Sequence, residues 1–394
     1  MKIEFTKNQI KLREELRDYF NDLMNENLVK ELKMSGGEGG GGPEFKKALK
    51  KIGQDGWIGL SWPKKYGGQE ASYLEQYIFT EEIMRSGFPY PFLTTDSIGP
   101  TIAEYGNKLI KRDLIPGILS GDIIFAIGYS EPDAGTDLAS LSTKAILKNN
   151  KWIINGQKMW TSLADYSDYI WLAVRTDPKS NNHKGLSILV VPTNSKGLTI
   201  SPIYTLGGVR TNTTFYDNVE IPESNLVGEV NKGWNLITGQ LNRERLSLVN
   251  NAPVEKLLED VTKWANNTVD NKGNKLIDEN WVKSNLALVK SGSEALKLLC
   301  WKQAWLMTTN KLDMADASVA KVYGSEFFIE AYRLLMEIIG QESTLTSKSE
   351  KNILEGRLEM LYRVSSILTF GGGTNEVQRD IISMIGLNMP REER

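Results

Sequence analysis

Ser130-Glu131-Pro132-Asp133-Ala134-Gly135-Thr136-Asp137 follows shortly after the chain changes character near Asp122. Proline, glycine and small hydroxyl residues make it a turn. Ahead of it, up to about residue 122, the sequence reads as helical. Thr6 is placed to cap a first helix, and Leu12, Leu16, Phe20 and Leu23 recur at three- and four-residue spacing, giving one apolar face. Around and beyond the turn, to about Gly228, the chain consists of short β-rich runs separated by turn residues: 152–154, 169–174, 186–191 and 213–221. Asn155-Gly156, directly after the first run, is a hairpin signal. No long helical pattern separates the runs, which argues against a parallel βαβ sheet and for a small, mostly antiparallel β domain. From Gly233 the helical pattern returns, with long apolar-periodic stretches at 281–309, 314–339 and 350–368. Helices of that length with short connections pack as an antiparallel bundle. The expected fold class is α+β, in three domains: an all-α domain over 1–122, a central antiparallel β domain over 123–230 and an α-helical bundle over 231–394.

Composition removes several function classes. The 394 residues include 24% charged side chains and carry a formal net charge of −2, with acidic and basic residues interspersed. Nothing here suits a nucleic-acid surface. The lone histidine, His183, sits in the polar stretch Ser180-Asn181-Asn182-His183-Lys184 and reads as a solvated loop residue. No metal site and no Ser-His triad are expected. One cysteine, Cys300, excludes an internal disulfide. The first residues have no apolar core of a secretory signal. No apolar run approaches the roughly 20 residues that cross a bilayer, so no membrane insertion and a cytoplasmic protein are expected. Gly37-Glu38-Gly39-Gly40-Gly41-Gly42 matches the spacing G-x-G-x-x-G. That spacing needs a strand before it, and a charged helical stretch precedes it here, so the segment reads as a loop.

Six segments together carry a resemblance. The turn at 130–137 resembles the T-E-P-x-A-G-S-D signature of the acyl-CoA dehydrogenase family. Gly56-Trp57-Ile58-Gly59-Leu60-Ser61-Trp62-Pro63 with Tyr66-Gly67-Gly68 is similar to the family's N-terminal helical motif. Lys158-Met159-Trp160, Gly208-Val209-Arg210-Thr211, Asn218-Val219-Glu220-Ile221-Pro222 and Gly373-Thr374-Asn375-Glu376 follow in the family's order. The resemblance implies helices, a β-barrel-like sheet and a four-helix bundle, with FAD as cofactor. It implies an enzyme that dehydrogenates an acyl-CoA thioester to the trans-2-enoyl-CoA and passes electrons to an electron-transfer flavoprotein. The implied flavin contacts are Tyr129, Ser130, Gly135, Thr136, Trp160, Thr161, Ser162, Thr374 and Glu376. A glycine in the turn admits close backbone approach, hydroxyls and N–H groups suit flavin oxygens, and the Trp160 indole offers a flat face. The competing reading makes Trp160 a core aromatic and the hydroxyls turn caps.

The reaction needs a carboxylate partly withdrawn from water, so that its pKa suits proton abstraction near neutrality. The family's usual glutamate precedes the C-terminal G-T pair, and that position is Gly372 here. A minority of members, isovaleryl-CoA and long-chain dehydrogenases among them, place the base on the first helix after the β domain. Their pattern L-x-x-E-R-L matches Leu241-Asn242-Arg243-Glu244-Arg245-Leu246. Independently, Ile237, Leu241, Glu244 and Leu248 fall on one helical stripe, and a carboxylate on an apolar stripe is costly unless neutral, paired or functional. Glu244 is therefore the expected base and Arg245 an expected substrate-side residue. The structural alternative pairs Glu244 with Arg243 or Arg245.

Two family features are absent. The stretch Asn271-Lys272-Gly273-Asn274-Lys275-Leu276-Ile277-Asp278 lacks R-x-x-F-G, and Glu337-Ile338-Ile339-Gly340-Gln341 replaces Q-x-x-G-G. In the family both grip the adenine half of FAD across a subunit boundary. The combination resembles bacterial members acting on steroid side chains or other bulky acyl groups, some of them α2β2 assemblies whose two kinds of subunit share each FAD. Homotetramer and α2β2 heterotetramer both stay open. So do two other roles on this fold: a flavin oxidase or monooxygenase, and a silent structural subunit.

Overall fold

The computed structural model describes residues 4–35, 40–180, 183–269, 272–309 and 311–390, with only the backbone of 35, 242 and 244–248. Among the described residues six α-helices come first: α1 (Lys7–Leu23), α2 (Glu26–Ser35), α3 (Pro43–Gln54), α4 (Tyr73–Ser86), α5 (Gly99–Tyr105) and α6 (Lys108–Leu119). A π-helical segment, Leu93–Ile98, runs directly into α5. Thr6 caps α1 by accepting from the Gln9 N–H, and Gln9 returns the bond to the Thr6 N–H. The face of α1 expected from the spacing is buried at Leu16, Phe20 and Leu23. Ion pairs from Arg13 to Glu81 and Arg17 to Glu82 fix α1 across α4.

Of the glycine-rich segment, 36–39 lie outside the described residues. A helix, α2, precedes it, so the strand required by a dinucleotide motif is not there. At Gly42 a Cβ would collide with the Glu31 carboxylate, which accepts the Glu44 and Phe45 N–H groups at 2.9 and 2.8 Å. The missing side chain lets an acidic residue of α2 cap α3.

Eight strands follow among the described residues: β1 (Phe125–Gly128), β2 (Lys144–Lys148), β3 (Lys151–Lys158), β4 (Tyr169–Arg175), β5 (Leu186–Pro192), β6 (Leu198–Tyr204), β7 (Arg210–Pro222) and β8 (Leu226–Val227). The order is β6-β7-β3-β2-β4-β5-β8, with β1 alongside β4. Most pairings are antiparallel, as expected, but the sheet is mixed. β1 runs parallel to β4, and β2 touches β4 in parallel at Lys144 and Arg175. Alternate residues of β4 and β5 enter different cores. Trp171, Ala173, Ile188 and Val190 pack toward helices, while Ile170, Leu172, Leu189 and Val191 fill the interior of the sheet. Both faces being apolar, these strands read as continuous hydrophobic runs.

The expected hairpin at Asn155-Gly156 is not where the chain turns. The turn joining β2 to β3 is Asn149-Asn150, both left-handed at φ 52° and 58°. That conformation at both central positions matches the twist of the flanking strands, and asparagine tolerates it. Asn155-Gly156 instead lies inside β3, where its register with β7 shifts between Ile154 and Gly156. Gly156 has φ 150°, and a Cβ there would sit 2.5 Å from Thr143 Oγ1 and 2.7 Å from Thr143 Cα. Gly156→Ala is expected to lower stability by about 1–3 kcal/mol through overpacking at this bulge, read as a drop in denaturation midpoint with an unchanged denaturant slope.

The C-terminal region comprises α7 (Gly233–Leu248), α8 (Ala252–Asn267), α9 (Asn280–Thr308), α10 (Met314–Ile339), α11 (Arg357–Ser365) and α12 (Asn375–Ile381). α8 to α11 form the bundle, with α10 at its centre, buried on most sides by small residues such as Ala317, Ser318, Ala320 and Gly324. The helix expected over 350–368 is shorter. Leu354 and Glu355 are left-handed at φ 52° and 60°, so regular α-helix begins only at Arg357. Among the described residues no helix is long and apolar enough to cross a membrane, and no cluster of His, Cys, Asp and Glu would hold a metal ion. His183 is exposed in a turn, its ring 4.3 Å from that of Trp234.

Candidate active site

A buried ion pair builds the turn after β1. Lys158, fully buried at the end of β3, donates to the Tyr129 carbonyl at 2.9 Å and to Glu131 Oε1 at 2.8 Å. Burial lowers the Lys158 pKa to about 8, and the Glu131 charge opposes that shift. The Glu131 carboxylate also accepts the Ser142 and Thr143 N–H groups and the Ser142 hydroxyl. Burial pushes the Glu131 pKa up, but the Lys158 charge and these donors outweigh it and bring it down to about 2. The Met159 N–H reaches the Ser130 carbonyl at 2.8 Å. Residues 129–131 and 158–160 thus form one rigid unit.

That unit presents Trp160. Its backbone is left-handed at φ 61° and its side chain is 53% exposed. A bulky residue in this conformation is strained by about 1–3 kcal/mol. An exposed indole held on strained backbone is poorly explained as a core aromatic. Gly135 and Thr136 are exposed in the same turn, and a Cβ on Gly135 would meet nothing within 4 Å. A flat aromatic surface beside an open turn with free space for close approach fits a flavin. The neighbouring hydroxyls face inward: Thr161 lies 3.4 Å from Thr214 Oγ1, and Ser162 donates to Thr211 Oγ1 at 3.1 Å. The Thr161 N–H goes to the Asn212 carbonyl.

Tyr129 points into the core and connects the turn to α7. Its hydroxyl accepts from Trp171 Nε1 and donates to Gln240 Oε1, both at 3.0 Å. Gln240 Nε2 donates to Ser97 Oγ at 2.7 Å, and Ser97 returns a bond to the Gln240 carbonyl. Sheet, π-helical segment and α7 are therefore fixed one helical turn before residue 244. Buried Ile237 and half-buried Leu241 lie on the expected stripe of α7, with fully buried Gln240 between them. Glu244 and Arg245 belong to this helix, and their side chains are outside the described ones. Arg243 binds Glu104 at 2.9 Å and the Thr101 hydroxyl at 3.3 Å.

Thr374 and Glu376 lie elsewhere in the chain. Thr374 caps α12 by accepting from the Val377 N–H. Fully buried Lys321 donates to the carbonyls of Gly373 and Thr369 and to Asn375 Oδ1, fastening the segment to α10. Among the described residues no hydrogen bond joins 374–376 to the Trp160 unit. Gly372 has φ 67°, a conformation that a glutamate would adopt only with strain.

A cavity of about 440 Å³ opens between the first helices and the bundle, lined by Trp62, Tyr66, Tyr77, Asp96, Arg243 and Cys300 among others. Asp96 escapes a reading by motif. The one signal was a single charge in an otherwise uncharged stretch, 91–103. Burial pushes its pKa up to about 7, against a smaller opposing effect of Thr95. The same burial pushes the Cys300 thiol up to about 12, leaving it inert.

Helical, sheet and bundle layers, with an aromatic platform beside the sheet and a cavity ending on α7, define a flavin-dependent acyl-CoA dehydrogenase architecture. Sequence models of the acyl-CoA dehydrogenase N-terminal, middle and C-terminal domains match residues 6–122, 126–219 and 231–387, and the chain belongs to this family of FAD-dependent enzymes. It is 49% identical over 400 residues to acyl-CoA dehydrogenase FadE26 of Mycobacterium tuberculosis, covering 100% of both chains. Among solved structures it is similar to a chain of the ChsE4-ChsE5 complex from Mycobacterium tuberculosis, with a TM-score of 0.93 and 48% identity over 100% of each chain. It is also similar to a chain of the Tcur3481-Tcur3483 steroid ACAD, with a TM-score of 0.92 and 43% identity, again over 100% of each.

Proposed function

We propose that this chain is the catalytic subunit of a heteromeric acyl-CoA dehydrogenase acting on a bulky acyl thioester, steroid-like in size, with Glu244 as its base. The product is the trans-2-enoyl-CoA, and an electron-transfer flavoprotein takes the electrons. The observation that carries the reading is the cavity reaching α7 at Arg243, one residue before Glu244. When bound, FAD supplies the acceptor for the β-hydrogen. Trp160 offers the platform for its ring system, and Ser130, Gly135 and Thr136 the open turn beside it. Tyr129 and Thr161 act as positioning residues, and Thr374 and Glu376 serve a flavin from the C-terminal segment. Glu244 takes the α-proton, while Arg245 lies toward the substrate. The Tyr129–Gln240–Ser97 chain of hydrogen bonds holds α7 against the turn, so that base and platform keep a fixed separation.

The heteromer is supported by the two missing adenine-side motifs and by the paired names of the two similar structures. The test is the visible spectrum of the purified chain, alone and with a candidate partner subunit, before and after anaerobic addition of acyl-CoA thioesters. Flavin that appears only with the partner and bleaches with a bulky acyl-CoA is expected. Full flavin loading of the chain alone would overturn the heteromer. Rapid reoxidation of the reduced flavin by oxygen would transfer the protein to the oxidases.

A further inference from the structure

The cavity is more polar than an alkyl chain requires, and most of its polar groups are already engaged. Glu104 is paired with Arg243 at 2.9 Å. The Thr80 hydroxyl donates to the Gln76 carbonyl, Tyr77 donates to Glu81, and Gln303 donates to the Asp316 carbonyl. Trp62 Nε1 bonds the Thr95 carbonyl at 3.0 Å, and Asn250 Oδ1 accepts the Ala252 N–H. Asp96 differs. It lines the cavity and is partly accessible, yet no cation pairs with it among the described residues. Its neighbour Thr95 bonds the Pro91 carbonyl and also interacts with the carboxyl through its hydroxyl, the smaller influence that opposes burial. Ser97, bonded to α7, and Thr94, bonded to the Phe125 N–H, fix the π-helical segment that carries Asp96 at the cavity wall.

A carboxyl group withdrawn from water without a counter-charge favours its neutral form, as the upward shift to about 7 reflects. A neutral carboxyl carries one O–H donor that needs an acceptor. The two cations of the cavity wall are turned elsewhere, Arg243 to Glu104 and Lys65 over the Tyr66 ring, and among the described residues neither pairs with Asp96, which leaves its O–H to meet an acceptor brought by a ligand. We propose that Asp96 is a specificity-determining donor that reads a ketone or hydroxyl oxygen on the acyl portion of the substrate. The inference rests on the proposed function above and takes the cavity that reaches α7 as its acyl site.

The test measures binding without turnover. Two series of 2-enoyl-CoA thioesters are titrated calorimetrically into the flavin-loaded enzyme, with its partner subunit where one co-purifies. One series ends in a cyclohexanone ring and the other in plain cyclohexane, with the tether lengthened in steps. For one tether the wild type is expected to prefer the ketone about tenfold, the size of one buried hydrogen bond. Asp96→Asn, which keeps an N–H donor, is expected to retain the preference. Asp96→Leu is expected to abolish it while binding the cyclohexane series at least as tightly. A ketone preference that survives Asp96→Leu, or that is absent from the wild type at every tether, overturns the role of Asp96 and leaves the acyl site standing. Failure of both series to bind the wild type overturns the acyl-site assignment along with it.

Discussion

Glu244→Gln is expected to slow single-turnover bleaching of the flavin by an acyl-CoA about 10²–10⁴-fold, the range for removing a general base, with flavin content and thermal midpoint unchanged. The substitution keeps the shape and a hydrogen-bonding end while abolishing the ability to take a proton. The surroundings justify the expectation of an undisturbed fold. Gln240, one turn earlier, is fixed to Tyr129 and Ser97, and Arg243 is committed to Glu104 and Thr101. The alternative base position offers nothing, since Gly372 has no side chain and a left-handed backbone. A bleaching rate within about threefold of wild type, far short of the general-base range, would remove Glu244 from the mechanism. Lost flavin or a lowered midpoint with a preserved rate per bound flavin would give it the structural ion-pair role instead.

Much of this architecture was readable from residue patterns because local and tertiary preferences agree. Thr6 caps its helix, and the three- and four-residue apolar spacing of α1 becomes its buried face. Agreement fails where one pattern has two physical readings. Asn155-Gly156 has turn chemistry, yet the same glycine flexibility serves a bulge inside β3, while the less conspicuous Asn149-Asn150 makes the turn. The third bundle helix read as longer than it is because apolar spacing does not reveal two consecutive left-handed residues at 354 and 355. The parallel pairing of β1 with β4 depends on which strand end meets which, information that no local window holds.

In the candidate site, side chains embedded in motifs could be proposed from the sequence and those acting through distant partners could not. Trp160 and Ser130 stand in recognisable segments. Gln240, Lys321 and Asp96 are isolated polar residues whose meaning comes from contacts 48 to 143 positions away or from a cavity. A lone lysine among the small residues of α10 was a signal of the same kind, since a buried ammonium requires several acceptors.

Lys158→Met is expected to be the most destabilising of the substitutions considered, by about 3–5 kcal/mol, because it leaves the Glu131 carboxylate buried without its counter-charge. The loss reaches function directly. Lys158 holds the Tyr129 carbonyl and Glu131 together, and Glu131 in turn holds the 142–143 backbone, so the turn from 130 to 137 loses its anchor. Flavin content should therefore fall even in protein that stays folded at low temperature. The double change Lys158→Met with Glu131→Gln should recover part of the stability, since an amide costs less to bury than an unpaired carboxylate. The pair also sets an acid response. Glu131 has its folded-state pKa lowered to about 2, so its stabilising contribution is complete above the ordinary value of 4.5 and is lost as pH falls from there toward 2. Chemical denaturation between those limits should show wild-type stability declining toward that of the double variant. A wild type and double variant that lose stability in parallel over this range would show that the Lys158–Glu131 pair does not carry the acid sensitivity.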